Sequence, residues 1–229
     1  MHIFRLVFIF LVAVGEVSAA PVDLGSSRIE MPVPQGYVEV TPQMAGLWQF
    51  MQAAQGDNHI LAFFIGEREK ANALEGKPLN LERNINIQTR RKFEGATVTR
   101  DLFEQVKSQL KAMAASKQMD AIQARELERL NGNLEKAANF NPKFAQLENV
   151  TLPPHVDLPD QYGYSEISVE QATLPDGTVK RGRVTSTVMT VLVKGKLLSC
   201  YVTGGPDDLE WTRSAAKEWS DALLSANRN

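Results

Sequence analysis

The stretch VTSTVMTVLVKGKLLSCYVT, residues 184 to 203, restricts the fold more than any other part of the chain. Met189, Val191 and Val193 alternate on one side, Lys194-Gly195-Lys196 reverses the direction, and Leu198, Cys200 and Val202 alternate on the way back. Successive side chains of a strand point to opposite faces, so this pattern is an antiparallel hairpin with one apolar face. A slip of one residue would turn that whole face to water, so the register is strongly specified. Leu174-Pro175-Asp176-Gly177 is a second turn signal, joining a strand over Glu166 to Thr173 to the one beginning at Val179.

An apolar sheet face must be covered. The end of the chain offers a helix in which Trp211, Ala215, Trp219 and Leu223 recur four residues apart, with Ala222 and Ala226 beside them. Upstream, Ile29, Met31 and Val33 form an extended opening interrupted by Pro32 and Pro34, and Pro34-Gln35-Gly36 turns into Tyr37, Val38 and Val40. Thr41 with Pro42 reads as the start of a helix carrying Met44, Leu47, Trp48 and Met51, which stops near Gly56. His59 to Ile65 has no polar alternation, as expected of a strand covered on both faces. A short helix over Glu67 to Leu74 stops at Gly76. Leu81, Ile85 and Ile87 then alternate with Asn84, Asn86 and Gln88 as a half-exposed strand.

Residues 99 to 140 form a long helical insert. Thr99 is its N-cap; Phe103, Val106, Leu110 and Met113 form one stripe, and Ile122, Leu127, Leu130 and Leu134 a second, out of phase with the first. The phase break at Ala115-Ser116-Lys117 implies two helices or one bent one. Glu104 with Lys107 and Glu126 with Arg129 suit a solvated side. Asn131-Gly132-Asn133 would end the region early, or the helix continues to Asn141-Pro142. TLPPHVDLPDQYGY, from Thr151, has no period and reads as an irregular loop.

The resulting class is α+β: an antiparallel β-sheet packed by helices, with the insert over about 99–140 and a C-terminal helix. Residues 20–229 form a single α+β domain in this reading, and residues 1–19 a signal peptide. Arg5, the apolar run from Leu6 to Val14 and the small residues Val17 and Ala19 come in the order of a secretory leader, with cleavage after Ala19. The expected location is therefore outside the cytosol, periplasmic or secreted. After cleavage no stretch is long enough to be an integral membrane segment. The single Cys200 leaves the core without an intrachain disulfide. A formal net charge of −2 with interspersed signs gives no electrostatic case for nucleic acid as a partner. Arg90, Arg91 and Lys92 read as a solvated strand end.

Pro34, Gly36 and Tyr37 beside the first strand, and the closing hairpin feeding a helix with tryptophan, resemble the PsbP-like α/β/α sandwich over roughly residues 28–65 and 184–227. The resemblance implies a binding or accessory role. The insert departs from the usual pattern of that group.

Few residues suggest chemistry. Gly204-Gly205 between a strand and a helix has the order of parts of a phosphate turn, but Asp207, Asp208 and Glu210 fill the first helical turn. A phosphate would meet three like charges where the helix dipole offers only about 0.3–1 kcal/mol. Asp207 and Glu210 have the spacing of a capping box. Cys200 lacks a basic sequence neighbour and reads as inert core. His59 reads as a strand-end residue. His155, Asp157, Asp160 and Tyr162 share one loop and form the candidate surface site, with groups able to shuttle protons or hold an ion. Their order matches no ligand spacing, so no metal and no cofactor is expected, and no catalytic residue is assigned. No hydrolase elbow, zinc helix or nucleotide loop is present in the sequence. The leading expectation is an exported non-catalytic binding or accessory protein with an envelope protein as partner. The alternatives are an exported hydrolase using unidentified carboxylates and an envelope structural protein docking through the insert.

Overall fold

The computed structural model describes residues 20–116, 118–136, 143–174 and 176–228. The expected leader, residues 1–19, lies outside them. The chain opens with a small hairpin, β1 (Val22–Leu24) and β2 (Ser27–Ile29). The remaining strands are β3 (Tyr37–Glu39), β4 (Asn58–Gly66), β5 (Asn84–Arg90), β6 (Lys143–Thr151), β7 (Val156–Leu158), β8 (Gln161–Thr173), β9 (Val179–Val193) and β10 (Lys196–Gly204). They form one antiparallel eight-stranded sheet in the order β3-β4-β5-β10-β9-β8-β6, with β7 also pairing with β8.

The hairpin that opened the sequence reading is the centre of this sheet. Cys200 faces Met189, and Leu198 faces Val191, in the β9–β10 ladder. Lys194 and Gly195, at φ of 46° and 71°, make the two-residue turn that right-twisted hairpins favour. On one side Met189, Val191, Leu198, Cys200 and Val202 are packed under α6 (Leu209–Ala226) and the β1–β2 hairpin, through Ala216, Trp219, Leu223, Leu24 and Ile29. The expected stripe of α6 packs on this face, with Trp219 and Leu223 buried and Trp211 and Ala215 partly buried against them; Thr212, Ala216 and Ser220 are buried beside it, whereas Ala222 and Ala226 are exposed.

Helices cover the other side. α1 (Ala45–Ala54) and α2 (Lys70–Leu74) pack on β4 through Leu47, Met51, Ala73, Ile60, Phe63 and Ile65. A bulge between Ile60 and Ala62 makes this possible, because it shifts phase so that Ile60 and Phe63 face α1 while Ala62 and Phe64 face α6. Thr41 does not cap α1; its carbonyl closes a turn with Met44 N–H at 2.9 Å, and the helix begins after Met44. β5 alternates as its sequence predicts: Ile85 and Ile87 are buried, and Asn84, Asn86 and Gln88 on the opposite face are half-buried, in a strand that lies between β4 and β10. After β5 comes the short α3 (Arg91–Glu94), which contains Arg91 and Lys92 of the basic triplet.

The insert is two helices, α4 (Arg100–Ala115) and α5 (Gln118–Lys136). Thr99 Oγ1 accepts from Leu102 N–H at 3.3 Å, as the N-cap pattern predicts. Phe103, Leu110 and Met113 pack on Tyr162, Tyr164, Val188 and Leu192. α5 runs through Asn131-Gly132-Asn133 to Lys136; residues 137–142 are outside the described set. Arg129 and Asn133 hold the end of α1, donating to Gln55 O at 2.8 Å and Ala53 O at 2.9 Å. The helices leave β6 as the outermost strand on its side.

Candidate binding site

The loop expected over residues 151–164 is largely strand. Leu152 N–H donates to Ser165 O and His155 N–H to Gly163 O, and β7 pairs Asp157 with Tyr162 and Leu158 with Gln161. This pairing sorts the four candidate residues. Asp157 and Tyr162 are brought together beneath α4, where Lys107 Nζ lies 2.9 Å from Asp157 Oδ1 and Lys111 Nζ 2.6 Å from Oδ2. Hydrogen bonds from Lys111 and Lys107 hold the Asp157 carboxyl below the usual carboxylate range. Tyr162 is buried, and burial raises its phenol. Asp160 stands aside with Arg100 at 3.4 Å.

His155 goes to the other face. Its ring Cε1 lies 3.2 Å from where a Cβ on Gly163 would stand, on the same side as Met189. Both ring nitrogens are buried with no hydrogen-bond partner among the described residues. The loop therefore does not assemble His155 with the two aspartates, and Asp157 acts as a clamp between α4 and β7. Lys107, expected on a solvated helix face, is only 4% exposed because its ammonium ends in that clamp.

The other sequence candidates resolve simply. Cys200 is fully buried, and burial drives its thiol far upward. His59 Nδ1 meets Glu94 Oε1 at 3.0 Å. The capping box expected of Asp207 and Glu210 does not form: Asp208 stands at the N-cap without a side-chain cap bond, and its Oδ2 instead accepts from Gly205 N–H in the preceding turn at 3.0 Å while Arg83 holds the carboxylate. A side chain on Gly204 would strike Asp208, and one on Gly205 would strike Glu82; close approach of these acids explains the glycines. Among the described residues no group of three or more His, Cys, Asp or Glu could hold a metal ion.

Exposed apolar side chains cluster on β6, a strand that has no clear period in its sequence. β6 carries Leu147 at 47% exposure and Val150 at 57%, and Val179 of β9 is 50% exposed at the tip of the same three-stranded arm. Arg181 and Arg183 of β9 and Lys143 of β6 are exposed beside them. A bulge between Gln146 and Glu148 sets Leu147 out of the ladder, which is why KFAQLENVT does not alternate cleanly. Between β6 and α5 lies an open groove of about 550 Å³, lined among others by Ala124, Leu127, Glu128, Phe144, Leu147 and Glu148. At the start of the strand, the Asn131 side chain takes both backbone groups of Phe144, at 2.8 Å each. That amide stands in for a neighbouring strand at Phe144 alone; the sheet order ends at β6. The apolar stripe of α4 packs on the sheet, whereas Leu127 of the α5 stripe lines the groove.

No helix among the described residues is long and apolar enough to cross a membrane. No protein-family model matches the chain, and no curated protein matches it. Among solved structures, the chain has a weak fold-level resemblance to cyanobacterial PsbP (CyanoP) from Synechocystis sp. PCC 6803, at 11% identity and a TM-score of 0.30, over 86% of this chain and 84% of that one. It has a similar one to the Saccharomyces cerevisiae Ran-binding protein Mog1p, at 10% identity and a TM-score of 0.32, over 91% of each chain.

Proposed function

We propose that this chain is an exported, non-catalytic binding protein that takes an extended segment of an envelope protein along the edge of β6. The observation behind this reading is a nine-residue outermost strand flanked by exposed Leu147 and Val150. A strand edge offers a row of main-chain donors and acceptors, and the partner that satisfies such a row along its length is another extended backbone. Leu147 and Val150 would supply the side-chain contacts. The export half of the reading is supported by Arg5, the apolar run after it and the small residues before Pro21.

The test is site-specific photocrosslinking in intact cells, with the reactive group at Val150 and a control at exposed Leu74. A discrete adduct to another protein from Val150, absent from Leu74 and lost in Leu147→Lys, is expected. An adduct only to a second copy of this chain, equal labelling at both positions, or no adduct from Val150 would overturn the docking reading. N-terminal sequencing of the mature chain tests export separately: a start at Ala20 is expected, and a start at Met1 refutes it.

The hydrolase alternative has one observation in its favour, that Glu128 and Glu148 line the same groove. It requires turnover of a glycoside or ester that Glu128→Gln and Glu148→Gln each abolish.

A further inference from the structure

We propose that His155 is an acid-responsive latch: neutral, it lets the chain leading into β7 lie against β8, and protonated, it releases the 152–156 segment. The inference rests on the far side of the sheet from the groove and does not depend on the docking reading.

The imidazole is buried at both nitrogens without a partner. A neutral ring already leaves one N–H unsatisfied there; protonation adds a second unsatisfied donor and a full charge. The surroundings offer that charge little help. From β8 the neighbour is Gly163 and from β9 Met189, both uncharged. From α6 the charged groups are Arg213 and Glu210, joined at 3.5 Å, and Arg213 also donates to Ser165 Oγ at 3.2 Å. The carboxylate on the histidine's own segment, Asp157, is turned to the opposite face and held there by Lys107 and Lys111. Burial, and then the Arg213 guanidinium, hold the imidazole below its ordinary pKa, with Glu210 opposing.

The route to relief is outward. His155 is anchored by one backbone bond to Gly163, followed by the three-residue β7, so few hydrogen bonds resist the swing. The Asp157 clamp holds the distal end to α4, which confines opening to the residues just after β6. The sign follows from linkage. The unfolded chain takes up a proton near the ordinary histidine pKa of about 6.5, and the latched state does so only at lower pH. The histidine's contribution is therefore complete above about pH 6.5 and is lost as pH falls through the lower, folded value.

The experiment is amide hydrogen exchange of the full-length mature chain between pH 7.5 and 5, corrected for intrinsic rates, with NMR titration of the imidazole. Protection of His155 and Val156 is expected to fall by up to about tenfold per pH unit as pH drops from about 6.5 toward the lower latched value, with protection of Asp157 and of β9 unchanged. His155→Phe should abolish the pH dependence. Arg213→Gln, which keeps the histidine, should move its midpoint upward, and it serves if the Phe variant does not fold. A histidine that titrates at or above the ordinary value, pH-independent protection, or equal pH dependence in His155→Phe overturns the proposal.

Discussion

Asn131 of α5 grips Phe144 of β6 by both backbone groups: its Nδ2 donates to Phe144 O and its Oδ1 accepts from Phe144 N–H, each at 2.8 Å. A side-chain amide has the donor and acceptor spacing of a peptide unit, so it occupies an edge position as a strand would. It also ties α5 to the sheet where few apolar contacts do.

Asn131→Ala should therefore do two things. It removes two part-buried hydrogen bonds, each with a net value of about 0.5–1.5 kcal/mol, so a loss of about 1–2 kcal/mol in urea unfolding is expected. It also lengthens the accessible edge by one residue, so any self-association by sedimentation should rise. Asn131→Asp keeps only the acceptor and should be at least as unstable as the alanine variant. Equal stability of all three proteins would refute the grip.

The Asp157 clamp gives a second expectation. Lys107 is 4% exposed and Lys111 side-chain exposure is 47%, so the two ammonium partners are not equivalent. Asp157→Asn leaves the buried Lys107 charge with the exposed Glu104 and the Leu158 carbonyl, at a cost of about 1–3 kcal/mol. Lys111→Met removes only a surface partner and should cost clearly less than Asp157→Asn. Because the Asp157 pKa is depressed in the fold, the clamp is complete above the ordinary aspartate pKa of about 3.9 and weakens as pH falls below it. The Asp157→Asn penalty should shrink accordingly at pH 3, read from urea midpoints.

These two contacts show what the amino-acid order could convey. The period-2 runs in β9 and β10 and the 3.6-period stripe of α4 depend on nearest neighbours, so their faces were legible from spacing alone. Asn131-Gly132-Asn133 misled for a physical reason. Asparagine disfavours helix interiors because its amide competes for local backbone, but here both amides are engaged far along the chain, by Phe144 and by Ala53, and the helix continues. β6 was invisible because its bulge breaks the alternation. Two residues apart, His155 and Asp157 would share a face of a regular strand, but His155 lies in the bend before β7 and ends on the opposite side of the sheet from Asp157. Thr212 and Ser220 of α6 were passed over as polar, yet they are buried, with Thr187 bonded to Thr212 at 2.9 Å and Gln161 to Ser220 at 3.1 Å.

Cys200 tests the apolar side of the sheet. It is fully buried between Met189 and Ile87 of the flanking strands, and burial alone raises its thiol. Native protein should resist a thiol reagent at neutral pH and react promptly in denaturant. Cys200→Ser places a hydroxyl in an apolar cluster and should cost about 1–3 kcal/mol, more than Cys200→Ala costs through the small cavity it leaves. Rapid native labelling would mean that α6 does not cover this face.

Asp208 decides whether the glycine pair before α6 can hold an anion. Its carboxylate already takes Gly205 N–H at 3.0 Å and Arg83 through Nε at 3.0 Å and Nη2 at 2.5 Å, and the Arg83 guanidinium lies 4.5 Å from the Trp211 ring. The turn's donor and its nearest cation are both engaged, so inorganic phosphate should give no calorimetric signal with the wild type. The Arg83 hydrogen bonds hold the Asp208 carboxyl below its ordinary range. This stabilisation is fully present above about pH 3.9 and is lost as pH falls through the depressed folded value, so the stability gap between wild type and Asp208→Asn should narrow in acid. At neutral pH the asparagine variant should be less stable by about 1–3 kcal/mol, since Arg83 loses a charge-assisted, two-point partner and the β5 and α6 ends lose their tie. A variant as stable as the wild type, or phosphate binding by the wild type, would show that Asp208 does not fill the turn.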